Sequence, residues 1–337
     1  MNAVWFWTIG GMLIAYAVLD GYDLGVGALY LLAARNNRER RIALNAVGPV
    51  WNGNEVWLLA GGGMLVVSFP RVYAAGFSGF YLALVLVLWL LILRGLSIEL
   101  RHQLDHEMWH SLWDAGFFLG SLLVSLLLGV ALGNVLRGLP IGEDGNFQGT
   151  FALMLNPYSI LTGLLSVAVL TWHGANYLRV KTEGELHERV LMWSRALWGA
   201  VVVLAVGATA ATFGVSPTLN SGFHNHPVGW IFPGVALGGL ALGFAGRNPS
   251  HDHLSFRAST VVIVGLLATA AITVYPNLLI STINPAFSLN IYNAASAPYS
   301  LKVAFLANIV GMVAVVIYHS YVHRIFRGKV RLTEHGY

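Results

Sequence analysis

Apolar residues run along this 337-residue chain in long segments that are separated by short polar loops. A transmembrane helix needs about 20 mainly apolar residues, because the hydrocarbon core of a bilayer is roughly 30 Å thick. Nine segments approach that length, and they cover approximately residues 5–34, 49–69, 72–98, 114–137, 157–179, 193–214, 228–246, 257–279 and 302–326. The pattern predicts an all-α polytopic membrane protein with about nine transmembrane helices.

Composition agrees with this pattern. The chain is 56% hydrophobic and only 10% charged, and its mean hydropathy of +0.67 excludes an ordinary soluble domain. The first apolar segment is too long for a signal peptide and no basic residue precedes it, so we expect no cleavable signal. The lack of cysteine excludes disulfides, thiolate metal sites and a cysteine nucleophile.

The basic residues are distributed unevenly between the loops. Sixteen of the 19 Lys and Arg residues belong to one set of alternate loops, and the other set holds only Arg71, Arg137 and Lys302. Cytoplasmic loops carry the excess of positive charge, which predicts an external N-terminus and a cytoplasmic C-terminus. The basic runs are therefore interpreted as topological anchors, and no nucleic-acid partner is expected.

Glu55 is the one ionisable residue of the second apolar segment. Gly48 and Pro49 are typical of a helix start, which predicts a helix that begins at Pro49. Residues three or four apart share a helix face, so Asn52 and Trp51 would lie beside Glu55. Because ionisable groups inside a membrane are costly and commonly functional, we predict a functional carboxylate here. The alternative is an interfacial carboxylate or a structural ion pair.

Two aspartates, Asp20 and Asp23, lie three residues apart in the first segment and share a helix face. Gly21 and Gly25 form a groove of small residues that lets another helix come close. Two bare carboxylates in a bilayer are unfavourable, so at least one should be protonated, hydrogen-bonded or paired with a cation. Arg94 is the natural counter-ion for an acid of the first two segments. The alternatives are polar contacts between helices for the aspartates and a topological anchor for Arg94.

The remaining polar residues have structural explanations. Asp114 opens the fourth segment, where the helix dipole alone would stabilise a carboxylate. The histidines recur at helical spacing near membrane ends without a carboxylate to complete a compact metal site, so we predict neither metal nor haem ligation. They are His102, His106 and His110 before the fourth segment, His173 in the fifth, and His319 and His323 in the ninth.

Seven short motifs follow one another along most of the chain. They are GYDLGVG at 21–27, GPVWNGNEVW at 48–57, FSGFY at 77–81, LRGLSIELR at 93–101, WD at 113–114, NP at 156–157 and GELH at 184–187. In this order they resemble subunit II of cytochrome bd-type quinol oxidases. The resemblance implies two four-helix bundles plus one peripheral helix, with the first bundle over about residues 1–137 and the remaining helices over about 151–326.

The resemblance also implies the partners and cofactors. A family member forms a heterodimer in the bacterial cytoplasmic membrane, in which subunit I holds the b-type and d-type haems and the quinol site. This chain would ligate no haem, and quinol would be the substrate of the whole complex. Lipid surrounds the complex, and the family leaves room for a small single-helix accessory subunit.

A proton path from the cytoplasm is the further implication of the resemblance. The family carries an aspartate after the first tryptophan of the second motif, and this sequence has Asn52 at that position. Glu55, one turn later, has the required carboxylate. Asp20 and Asp23 match the acidic motif of the first helix, and Arg94 matches the arginine of the third.

Two tryptophans and one further aspartate complete the expected site. The resemblance implies that Trp57 borders an apolar route for dioxygen, and we expect Trp51 and Asp114 to support the proton path. Two other functions were weighed against this one: a proton-coupled secondary transporter, whose acids would bind the coupling proton, and a purely structural membrane partner.

Overall fold

The computed structural model describes residues 1–332, apart from the side chains of residues 220 and 221. Within that range it contains thirteen α-helices, two short 3₁₀ helices (Pro227–Trp230 and Pro285–Phe287) and one antiparallel strand pair, β1 Asn277–Leu279 with β2 Leu289–Asn290. The α-helices are α1 Asn2–Ala33, α2 Asn37–Val47, α3 Trp51–Ser68, α4 Pro70–Gly79, α5 Tyr81–Leu100, α6 Glu107–Arg137, α7 Phe151–Met154, α8 Pro157–Lys181, α9 Gly184–Val215, α10 Leu219–Asn225, α11 Ile231–Ala245, α12 Asp252–Val274 and α13 Pro298–Ile325.

The all-α polytopic architecture is confirmed, with one difference in the number of spans. Among the described residues eight helices, rather than nine, are long and apolar enough to cross a membrane. They are α1, α5, α6, α8, α9, α11 with its preceding 3₁₀ turn, α12 and α13. The predicted second segment is α3, which has 18 residues and falls short because it contains two asparagines, Glu55 and four glycines. The predicted third segment is interrupted at Phe80, between α4 and α5.

The predicted helix start at Pro49 was wrong. A separate helix, α2, was not predicted; it begins after Asn36, whose side chain accepts a hydrogen bond of 2.9 Å from the Glu39 N–H. This helix runs to Val47, and the chain then turns through residues 48–50 before α3 begins at Trp51. Proline has no N–H and cannot continue a helix, so Pro49 lies in the turn that ends α2.

The central contact of the fold is between α1 and α8. Every residue from Asp20 to Tyr30 on α1 is buried. A Cβ atom on Gly25 would lie 2.7 Å from the Gly174 nitrogen, and one on Gly174 would lie 2.6 Å from the Gly25 Cα. The predicted groove of small residues is therefore confirmed at Gly25, where two backbones touch. This contact fixes the aspartate-bearing part of α1 in the interior.

A cavity of about 830 Å³ is bounded by α1, α6, α8, α9 and α12. Its walls are mainly apolar, and α1 contributes Leu13, Tyr16 and Leu24 to them. Leu58 of α3 also reaches this space. Helix α13 packs against α3 and also contacts α1, where the Trp5 Nε1 donates to the Leu301 carbonyl at 3.1 Å.

Candidate functional site

Three acids and one arginine meet where α1, α3 and α5 approach one another. Asp20, Asp23 and Arg94 are completely buried, and the Glu55 side chain is 21% exposed. One guanidinium nitrogen, Nη1 of Arg94, lies 2.8 Å from Asp20 Oδ1, and the other, Nη2, lies 3.6 Å from Glu55 Oε2. Of the two interpretations of Arg94, a counter-ion or a topological anchor, these contacts support the counter-ion.

The contact between Arg94 and Asp20 is electrostatic and is not an aligned hydrogen bond. No well-aligned hydrogen bond joins the Arg94 guanidinium to Asp20. The short distance of 2.8 Å therefore contributes Coulomb attraction, which is strong where water is excluded. Each of these groups keeps hydrogen-bonding capacity that the protein around it does not use.

Asn54 is the site residue that sequence reasoning did not single out. Its buried amide donates hydrogen bonds of 2.7 Å to Asp23 Oδ2 and of 2.7 Å to the Tyr22 hydroxyl oxygen. Asn52, the position of the family acid, is instead exposed on the surface of this chain. A polar amide inside an apolar segment could have pointed to Asn54. The sequence does not show, however, which of the two asparagines of α3 faces α1.

The two tryptophans of α3 have different neighbours. Trp51 lies against Gly95, where an added Cβ would meet its ring at 3.0 Å, so the indole covers the backbone next to Arg94. Trp57 is buried and packs with Met12 and Tyr16 in one apolar cluster.

Asp114 does not start a helix, and the explanation by the helix dipole was wrong. Helix α6 begins at Glu107, two turns earlier, so the residues just before Asp114 are already helical. The buried carboxylate lies 2.5 Å from Arg101 Nε and 2.8 Å from Arg40 Nη1, and it accepts a hydrogen bond of 2.6 Å from the Tyr30 hydroxyl. Asp114 thus holds α1, α2 and α6 together at the basic end of the molecule.

Asp114 and the first cluster are separate sites. Its partner Tyr30 lies ten residues after Asp20 on α1, roughly 15 Å further along the helix axis at ~1.5 Å per residue. The structure therefore brings together Asp20, Asp23, Glu55 and Arg94 but not Asp114. Any support that Asp114 gives to the cluster is structural, through the position of α1.

A second ion pair anchors α2 at the same end. Arg189 on α9 pairs with Glu39, and its Nε also donates to the Ala33 carbonyl at 3.0 Å. Partial burial acts to raise the pKa of Glu39, but the Arg35 N–H, which donates at 2.8 Å, and the Arg189 guanidinium outweigh it and lower that pKa. Glu39 is consequently charged and holds α2 against α9.

The histidines do not form a metal site among residues 1–332, where no group of three or more His, Cys, Asp or Glu side chains is placed to hold a metal ion. Both ring nitrogens of His173 have partners, the Ser259 hydroxyl at 2.7 Å and the Val18 carbonyl at 2.9 Å. His319 and His323 stack on one face of α13 with ring centres 5.9 Å apart. The ring nitrogens of His173, and those of His319 and His323, are therefore not directed from two helices at one possible metal position.

The chain matches the family model described as cytochrome bd terminal oxidase subunit II over residues 1–326. Similar proteins include the probable cytochrome oxidase subunit 2 of Haemophilus influenzae, 34% identical over 94% of this chain and 92% of the relative. The cytochrome bd-I ubiquinol oxidase subunit 2 of Escherichia coli K12 is 33% identical over 98% and 95%. The cytochrome bd ubiquinol oxidase subunit 2 of Bacillus subtilis is 30% identical over 99% and 98%.

A solved structure shares the fold. A chain of the bd oxidase from Geobacillus thermodenitrificans superimposes with a TM-score of 0.79 at 17% identity, and the match covers 96% of this chain and 98% of that one. Membership by sequence and agreement in fold thus point the same way, and a subunit II implies a partner subunit I. The chain belongs to the cytochrome bd terminal oxidase subunit II family and is a membrane subunit of an oxidoreductase complex.

Proposed function

We propose that this chain is a haem-free subunit that scaffolds the haem-bearing subunit I of a quinol oxidase and lines a proton path to it. The observation that carries the proposal is the buried cluster of Asp20, Asp23, Glu55 and Arg94. The partner's haems would supply the reduction of dioxygen to water. The residues of this chain would hold and pass the protons that this reaction consumes. Membership of the oxidase subunit family argues against the alternative hypothesis that this chain is a secondary transporter.

The balance of charges in the cluster favours proton handling. The cluster contains three carboxyl groups and one guanidinium, so a single positive charge compensates at most one of them fully. A buried carboxylate without a counter charge is costly, and binding a proton removes that cost. The cluster can therefore change its number of bound protons while Arg94 stays charged. A purely structural ion pair would need only one acid.

Glu55 is proposed as the acid that replaces the family aspartate at Asn52. Its carboxylate contacts Arg94 inside the chain, while a fifth of its side chain remains accessible from outside. Asn52 is exposed one turn before it, so protons that pass Glu55 reach the surface of α3. This is the arrangement expected of a relay between the interior of this chain and a neighbouring subunit.

The absence of haem from this chain is proposed from the histidine contacts. A haem iron held by two histidines needs a free ring nitrogen from each of two side chains that face one another. Both nitrogens of His173 are engaged, and His319 and His323 lie on the same helix with their Nδ1 atoms on backbone carbonyls. These three histidines therefore do not fit a haem held by two histidines, and no step of the proposed mechanism passes through a haem on this chain.

Trp57 is proposed to border an apolar route for dioxygen. Its indole packs with Tyr16, and Tyr16 also lines the apolar cavity beside α1. Dioxygen is apolar and partitions into such space more readily than water does. The continuous apolar surface from the cavity to Trp57 supports the proposal.

The proposed orientation places the N-terminus outside and the C-terminus in the cytoplasm. In the cysteine-free chain, Glu143→Cys should react with a membrane-impermeant thiol reagent added outside intact cells, whereas Arg38→Cys should not. Both residues are exposed, so access to the reagent decides the result. Labelling of Arg38→Cys alone would reverse the orientation and, with it, the side from which protons enter.

Glu55→Gln tests the proton path. The amide keeps the size of the side chain but cannot carry a proton, so quinol-driven oxygen uptake per haem should fall at least about tenfold while haem content is retained. The measurement is oxygen uptake of the purified complex, with electron transfer followed after flash photolysis.

Asn52 supplies the control and a partial rescue for that experiment. Asn52→Asp alone should be tolerated, because the residue is exposed. In the double variant, Asn52→Asp with Glu55→Gln, the restored carboxylate one turn away should recover part of the rate. An unchanged rate in Glu55→Gln would remove Glu55 from the path, and a loss of haem would make it a structural residue.

A further inference from the structure

His323 connects the basic end of α13 to the buried acids. It lies two residues before α13 ends at Ile325 and is half-buried. Its Nε2 is 3.0 Å from the Tyr22 hydroxyl oxygen, across a sequence separation of 301 residues. Tyr22 in turn shares the amide of Asn54 with Asp23. We propose that His323 is the residue at which protons enter the path, and that the Tyr22 hydroxyl passes them to Asp23. This inference rests on the proposed function.

The hydrogen bonds of His323 define its tautomer. Its Nδ1 is 3.0 Å from the His319 carbonyl oxygen, which can only accept, so Nδ1 carries a hydrogen. In the neutral ring, Nε2 is then an acceptor, and the Tyr22 hydroxyl donates to it. When the ring carries a second proton, Nε2 becomes a donor and the Tyr22 hydroxyl must direct its hydrogen elsewhere. The contact therefore reverses direction with the charge on His323.

Asn54 holds Tyr22 and Asp23 close together. Its Nδ2 lies 2.7 Å from the Tyr22 hydroxyl oxygen and 2.7 Å from Asp23 Oδ2, and 3.2 Å from the Leu19 carbonyl. These three acceptors identify that atom as the amide nitrogen. Asp23 Oδ1 is buried and has no hydrogen-bond partner among the described residues, so it can accept a proton. The Tyr22 hydroxyl and Asp23 are joined through the Asn54 amide nitrogen and are not directly hydrogen-bonded.

The transfer balances as three coupled proton hops through one bridging water molecule. Imidazolium Nε2–H of His323 breaks as its proton bonds to the Tyr22 oxygen, the original Tyr22 proton passes to the water, and the water gives one of its own protons to Asp23. The histidine ends neutral, the tyrosine is neutral before and after, and the carboxylate becomes a carboxylic acid. No oxidant, reductant or phenolate intermediate is needed. The ring of His323 then takes its next proton from the solvent.

The titratable groups that face His323 are neutral or basic. Besides Tyr22, they are His319 one turn earlier on α13 and Lys181 at the end of α8. Lys181 donates to the Phe326 carbonyl at 2.5 Å, which holds its ammonium group beside the end of α13. No carboxylate of the described residues pairs with His323. An imidazole in such surroundings has no fixed charge partner, and imidazole titrates nearest to neutral pH of all side chains.

The test compares His323→Gln and Tyr22→Phe in the purified complex reconstituted in vesicles. Both should slow proton uptake during a single turnover at least about tenfold, with haem content unchanged. The wild-type rate should fall as pH rises through the titration range of imidazole, because fewer rings carry a proton. This decrease of the rate at alkaline pH, the alkaline limb of the pH profile, should be absent from His323→Gln. The double variant should be no slower than either single variant, since both remove the same route.

Two further variants make the outcomes distinct. His251→Gln changes an exposed histidine in a loop predicted to lie on the same side and should leave the rate and the pH profile unchanged. Asp23→Asn tests the path itself. A wild-type rate with its alkaline limb in His323→Gln, while Asp23→Asn is slow, would overturn the role of His323 and leave the path standing. A wild-type rate in Asp23→Asn would overturn the path. If His323→Gln does not assemble, an unchanged rate in Tyr22→Phe overturns the inference.

Discussion

Arg94→Gln should prevent the complex from accumulating in folded form. Among the described residues, the substitution removes the one cation in contact with Asp20 and Glu55, and it leaves acids in an apolar interior without compensation. Removing one partner of a buried ion pair costs about 3–5 kcal/mol, a large part of the ~5–15 kcal/mol by which proteins are stable. The measurement is the yield of haem-containing complex and its thermal unfolding midpoint.

Three companion variants separate the loss of charge from the loss of shape. Arg94→Lys keeps the charge but cannot place two nitrogens against two acids, so its yield should be intermediate. Arg94→Gln combined with Asp20→Asn removes both charges and should recover part of the stability. Arg137→Gln, at an exposed position at the end of α6, should change nothing. Normal yield of Arg94→Gln alone would show that the acids are not charged in the folded protein.

Gly25→Ala should separate α1 from α8. The new methyl group would lie 2.7 Å from the Gly174 nitrogen and would also overlap the Leu170 carbonyl, and backbone atoms cannot move aside as side chains do. Overpacking in a close-packed interior costs typically ~1–3 kcal/mol, and contact with backbone places this substitution at the upper end or beyond. A lower unfolding midpoint and a lower rate of oxygen uptake are expected, because Asp23 lies on the displaced turn.

The control for this prediction is on the same helix. Gly11→Ala adds the same methyl group where nothing lies within 4 Å, so it should be neutral or slightly stabilising through helix propensity. Equal effects of the two substitutions would indicate that helix propensity, and not the contact with α8, governs stability here.

The sequence was informative about contacts that depend only on the charge or the size of a residue. Acids in an apolar segment need a cation, and Arg94 was the available one within the first three segments, so its contact with Asp20 could be predicted. The close approach at Gly25 followed from residue size in the same way. Both inferences need only the cost of burying charge and the space that a missing Cβ leaves.

What could not be predicted depends on the rotation of each helix about its own axis. Asn52 and Asn54 are two residues apart and chemically identical, yet one is exposed and the other bonds Asp23. The ion pair of Asp114 with Arg40 was not predicted, because Arg40 belongs to α2, a helix that only the fold reveals. The contact between Tyr22 and His323 joins the two ends of the chain, and no local pattern contains it.

The packing of α13 against α3 has a consequence for biogenesis. Gly53 and Trp57 of α3 face Tyr318 and His319, which are synthesised roughly 260 residues later. At ~5–20 residues per second, α3 waits roughly tens of seconds at the ribosome for its neighbour. During that time the face of α3 that carries Gly53 and Trp57 lacks its α13 neighbour. Nascent chains stopped before α13 should therefore expose the Gly53 and Trp57 face of α3 to membrane quality control, although the acidic cluster of α1, α3 and α5 is already synthesised.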